Sequence, residues 1–130
     1  MVEPVDVTIE RSEPGEIDVE ERVLVKYFIS DVRVARIERG YNIAVGISIV
    51  TRFARPPHGV RGICGPNTPY RPARFNVRRI ASATLRTDSG ETIEIFVEPV
   101  AVGIADDLIT ALGEPCVVLQ AVTAWRTAGG

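Results

Sequence analysis

The sequence predicts an all-β fold, a small barrel or sandwich of about seven strands with one short helix before the last strand. Valine and isoleucine supply 31 of the 130 residues, so the apolar content is mostly β-branched and favours strands. Apolar and polar residues alternate with a period of two along most of the chain, the signature of strands with one buried face. Gly, Pro and Asn clusters punctuate the alternation where turns belong. No internal repeat, linker or heptad divides residues 1–130, which read as one domain. A chain of this length buries roughly two-thirds of its unfolded surface, enough for one core.

Val5, Val7 and Ile9 face one way and Asp6, Thr8 and Glu10 the other, before a turn at Ser12-Glu13-Pro14-Gly15. Val23, Val25, Tyr27 and Ile29 repeat the pattern. Stretches 32–38 and 43–53 flank Arg39-Gly40-Tyr41-Asn42, a hairpin turn in which Gly and Asn tolerate positive φ. On the second arm Ala44, Gly46 and Ser48 make a small-residue face, which implies close packing by another layer or another chain. Residues 54–74 break every period and hold five prolines, so they read as a long irregular loop. Phe75 to Thr87 is the next strand, Asp88-Ser89-Gly90 a tight turn, and Thr92 to Val97 the return, with Pro99 ending or bulging the pairing.

Residues 104–112 are expected to form the helix. Ile104, Leu108, Ala111 and Leu112 share one helical face, and Leu108 and Leu112 should be buried on the sheet. Asp106 and Asp107 sit where carboxylates favour a helix start, and Gly113 supplies the stop. Cys116 to Trp125 is apolar on both faces and reads as a central strand, followed by a frayed Ala-Gly-Gly tail.

Charge is arranged in blocks. Residues 1–38 carry ten Asp/Glu against five Lys/Arg, and residues 88–130 carry seven against Arg126 alone. Between them, from Arg39 to Arg86, lie nine arginines and no carboxylate. The net charge of −2 hides this acidic–basic–acidic order, which marks an interaction surface rather than a reaction.

Reactive constellations are sparse. His58, the single histidine, lies in the irregular loop and reads as solvated; with two distant cysteines it cannot complete a metal site at ordinary spacing. Phosphate-loop, dinucleotide and nucleophile-elbow motifs are absent, no cofactor is implied, and the chain reads as a non-enzyme. Cys64 and Cys116 are expected to be free thiols, because no secretory signal precedes them. No apolar run reaches membrane-spanning length, and the chain reads as cytoplasmic or as part of a particle assembled there.

The candidate contact surface is Arg52, Arg55, Arg61, Arg71, Arg74, Arg78 and Arg79, with Tyr70 as the stacking aromatic. Arginines that grip phosphates and aromatics that stack on bases are the usual means of holding single-stranded nucleic acid. The other reading of the same residues is that they pair with the chain's own surplus carboxylates.

Ala83 to Val97, then the helix, then Cys116 to Trp125 resembles the strand–turn–strand–helix–strand portion of OB-fold nucleic-acid-binding proteins. That resemblance implies a closed barrel and a nucleic-acid or nucleoprotein partner, and assigns no individual residue. The rival expectation is a self-assembling subunit of a particle, virion or filament, its copies joined by acidic–basic contacts.

Overall fold

A computed structural model describes residues 2–57 and 59–128. The expectations for His58 and for the last two glycines therefore lie outside the described residues. Two sheets face one another across a single core. The first holds β1 (Glu3–Val5), β3 (Gly15–Val19), β4 (Val23–Ile37), β5 (Gly40–Phe53) and β8 (Phe75–Arg79). The second holds β2 (Val7–Glu13), β6 (Gly62–Ile63), β7 (Arg71–Pro72), β9 (Ala81–Thr87), β10 (Thr92–Ile109) and β11 (Pro115–Ala128).

Each sheet is organised around one long strand. β4 pairs antiparallel with β5 along its whole length, from Val23↔Phe53 to Ile37↔Gly40, and the turn closes at Gly40 with φ +125°. Its other edge takes β3 and, farther on, β1; β8 adds to β3. β10 pairs antiparallel with β11 from Thr92↔Ala128 to Ile109↔Pro115. On its other edge lie β9 at residues 92–97, β7 at 103–104 and β6, parallel, at 108–109. β2 adds to β9. The chain passes between sheets at Asp6, at Pro14, which has no N–H to donate, between β5 and β6, between β7 and β8, and at Ile80.

Alternation places the core from Ile17 onward as the sequence implies, but Val5, Val7 and Ile9 divide between the two sheets and Ile9 is 47% exposed. Ile17, Val19, Val23, Val25 and Tyr27 face inward from the first sheet, and Ala81, Leu85, Ile93, Ile95 and Val97 from the second. Tyr27 is fully buried, and its hydroxyl sits between the last two partners of the β9–β10 ladder. It donates to the Val97 carbonyl at 2.8 Å and accepts from the Ala81 N–H at 3.1 Å. Burial pushes the phenol up from its ordinary pKa, so it stays neutral and able to donate. The ring fits because residue 15 is glycine: a Cβ there would lie 2.1 Å from Tyr27 ring carbons.

Several expectations are corrected. The described residues form eleven strands rather than about seven and no helix, and the sheets do not close into a barrel. Residues 104–109 continue β10, because Ile104, Ala105 and Ile109 pair with Val117, Cys116 and Pro115 across the sheet. Asp106, Asp107 and Leu108 bulge out between those pairs, with Asp107 at φ +65°. Thr110 to Glu114 is a hairpin turn with Gly113 at φ +82°, not a helix end. Leu112 at its tip is 85% exposed, and Leu108 is half-buried. β11 is an edge strand rather than a central one, which leaves Val118 and Val122 exposed on its outer face. The anticipated strand from Phe75 to Thr87 is broken at Ile80, its halves serving different sheets.

Tyr27→Phe should cost about 1–3 kcal/mol in denaturant unfolding, since a buried N–H and C=O lose their shared partner. Gly15→Ala should cost more than that, because the Tyr27 ring must move to admit the methyl group. A neutral Gly15→Ala variant would contradict this account of the core.

Candidate functional site

The two passages that flank the basic centre fold back onto it. Arg71, at the start of β7, makes a paired contact with Glu20, Nη1 to Oε2 at 2.8 Å and Nη2 to Oε1 at 2.6 Å. Its Nε donates to Asp106 Oδ2, and Nη2 reaches Asp106 Oδ1 at 3.1 Å. Arg22 Nη1 shares that Asp106 oxygen at 3.1 Å and lies 3.9 Å from Glu20. Glu20 comes from the β3–β4 turn at φ +52°, and Asp106 from the β10 bulge. Asp106 is therefore an ion-pair partner rather than a helix-start carboxylate.

The electrostatics follow the geometry. Hydrogen bonds from Arg71 hold both the Glu20 and the Asp106 carboxyl below their ordinary pKa, against the opposing effect of burial. The same contacts, Glu20 first, raise the Arg71 guanidinium. Arg78 bonds Asp18 at 3.1 Å, and Arg86 pairs with Glu10.

The remaining candidates divide between two places. Arg52 lies on the outer face of the first sheet beside Leu24, with the buried Val25–Thr51 pair alternating inward. Arg78 and its partner Asp18 share that face, and Arg79 stands opposite Glu16 in the β3–β8 ladder. Arg55, Arg61 and Arg74 lie in the segments that meet around Arg71 at one end of the two sheets, the pole. Ala54 donates to the Arg22 carbonyl at 2.8 Å, Arg61 N–H to Asp107 at 2.6 Å, and Glu20 N–H to the Arg74 carbonyl at 3.1 Å. Arg52, Arg55, Arg61, Arg74 and Arg79 are exposed, with no ion-pair partner among the described residues. Tyr70 is half-buried, and a Cβ on Gly103 would approach its Cβ within 3.1 Å, so it is packed against β10.

The cysteines are bonded rather than free. Cys64 and Cys116 form a disulfide with Cα atoms 6.4 Å apart. The loop is correspondingly less irregular than expected, since β6 and β7 attach it to β10. Beneath the bulge, Arg22, Phe53, Pro57, Val60 and Ile104 line a cavity of about 30 Å³, room for water but not for an organic substrate. Among the described residues no three His, Cys, Asp or Glu side chains gather as a metal site, and no helix is long and apolar enough to cross a membrane.

A feature absent from the candidate residues lies at the sheet edges. β5 and β11, 14 residues each, pair on one side only. Each carries a single charged residue, Arg52 and Arg126. The two edges meet where Thr51 Oγ1 donates to the Pro115 carbonyl at 3.0 Å. Beyond that point a groove of about 530 Å³ opens between them, lined by Val45, Ile47, Val97, Leu119, Ala121 and Val122. The doubly apolar β11 was the sequence signal for it, whereas Ala44 and Ser48 lie on the opposite, exposed face of β5. In comparisons with known proteins, no protein family, curated protein or solved structure matches this chain.

The Arg71 network makes a pH prediction. A carboxylate whose folded pKa is depressed contributes stability above its unfolded value and loses it as pH falls through the folded one. The unfolding midpoint should therefore drop as pH falls from the ordinary values of 4.5 and 3.8 for Glu20 and Asp106. Arg71→Met should flatten that acid limb and cost roughly 1 kcal/mol at neutral pH, as expected for a partly exposed network. An acid limb that is identical in both proteins would contradict it.

Proposed function

We propose that this chain is a non-enzymatic structural subunit that joins further copies of itself by strand addition at β5 and β11. The observation that carries this reading is the pair of long, nearly uncharged edges beside an apolar groove. Proteins that stay monomeric shield such edges with charge, proline, bulges or a covering loop, because unpaired N–H and C=O groups template another strand. Backbone pairing would supply affinity, and the half-buried Val45, Ile47, Leu119 and Ala121 a dry contact. Acidic–basic contacts between copies are the weaker part of this reading, since Arg71, Arg78 and Arg86 already have partners within the chain. Solution mass should rise with protein concentration and survive nuclease treatment. Val50→Lys with Val122→Lys, both at exposed positions, should give a monomer with an unchanged unfolding midpoint. A wild-type monomer at every concentration would overturn the reading.

A second reading keeps single-stranded nucleic acid or a nucleoprotein as partner. It is favoured by the five exposed candidate arginines that have no ion-pair partner among the described residues, three of them around Arg71. Affinity should then fall log-linearly with salt, at a slope near −0.7 per phosphate contact. Replacing Arg55, Arg61 and Arg74 with Ala should flatten that slope. An absence of binding at low salt would remove this reading and leave the first intact.

A further inference from the structure

The central loop is attached to β10 at two points that differ in what holds them. At the second, β7 lies against Gly103 and Ile104, and Ala73 N–H donates to the Val102 carbonyl at 2.9 Å. Arg71 anchors this point through Glu20 and Asp106, and Ala73 packs on the core. At the first, β6 runs parallel to Leu108 and Ile109, with Arg61 and Cys64 N–H groups donating to Asp107 and Ile109. Little apolar surface is buried there: Val60 is 45% and Ile63 67% exposed, and Gly62 and Gly65 flank Ile63 and Cys64. Ordering four residues, one of them glycine, costs more than the few peripheral hydrogen bonds of a two-residue ladder and its ends return. What makes up the difference is covalent, the bond from Cys64 to Cys116 on β11.

We propose that the Cys64–Cys116 disulfide is a redox latch that decides whether residues 61–64 are a strand of the second sheet or free chain. Cys64 is half-exposed and Cys116 buried, so a dithiol reductant attacks the Cys64 sulfur. The S–S bond breaks, Cys116 departs with the electron pair and takes a proton. The second thiol of the reductant then displaces Cys64 as a protonated thiol and closes the reductant's own disulfide. Two electrons and two protons pass to the protein. Residues 61–64 leave β10, the edge at Leu108 and Ile109 opens, and Arg61 moves off the bulge. β7 stays in place, held by Arg71. The free edges of β5 and β11 are unaltered, so the latch acts independently of assembly through them.

The test is amide hydrogen exchange on the oxidised protein, on the protein reduced with dithiothreitol, and on Cys64→Ser. Protection at the amides of residues 61 and 64 should fall at least about tenfold in both reduced forms, the behaviour of a local opening. Protection at Ala73, Tyr27 and Ile95 should hold. Trypsin should cut after Arg61 at least about tenfold faster once the bridge is gone. Unchanged exchange at 61 and 64 would overturn the proposal. So would a uniform loss of protection across the core, which would make the bridge a support of the whole domain rather than a latch.

Discussion

The Tyr27 hydroxyl is the point on which the two sheets depend. A sandwich brings its layers together through apolar contact, which is strong but has no preferred register. Here a polar group from β4 enters the second sheet where the β9–β10 ladder stops, between Ala81 and Val97. It satisfies a donor and an acceptor that would otherwise be buried without partners, the costly condition in a core. The contact therefore sets how the layers sit along one another. It also leaves β9 free to depart at Ile80 while β10 runs on, and that departure supplies β8 to the first sheet. Gly15 belongs to the same arrangement, since a side chain there would collide with the Tyr27 ring.

Beyond Val97 β10 has lost β9, and the arginine–proline loop covers the edge that remains. Pro72 sits in β7, a peripheral strand where a missing N–H is tolerated. The disulfide and the Arg71 network hold the cover at two places, one covalent and one ionic. The basic centre thus has an architectural task. Part of its charge is cancelled by Glu20, Asp18 and Glu10 from the first acidic block and Asp106 from the last. The contrast with β5 and β11 is instructive, because one chain covers one long edge with care and leaves two others bare.

Features set by neighbours in sequence were legible. The hairpin at Gly40, the turn at Asp88-Ser89-Gly90 and the inward set of Val23, Val25 and Tyr27 follow from turn chemistry and a period of two. Features set by distant partners were not. Ile104, Leu108 and Leu112 have helical spacing, yet the pairing of Ile104 with Val117 across the sheet overrides it, and a bulge absorbs the extra residues. Arg71 could be singled out as a candidate, but its partners lie 51 and 35 residues away, so local pattern could not separate an ion pair from a free contact. The bond between Cys64 and Cys116 was missed on a different ground, because the lack of a secretory signal argued for free thiols. β11 looked central because it is apolar on both faces, a pattern that an exposed edge meant for contact shares with a buried strand.

The five crossings between sheets interlock the two halves of the polypeptide. The part before the central loop builds most of the first sheet but lends β2 to the second; the part after it builds most of the second but lends β8 to the first. A backbone cut between Arg55 and Arg61 would not release either piece, because each is threaded through the other's sheet. Made as separate chains, each half would lack one strand that only its counterpart carries, and the natural way for either to become whole is to fold around the other.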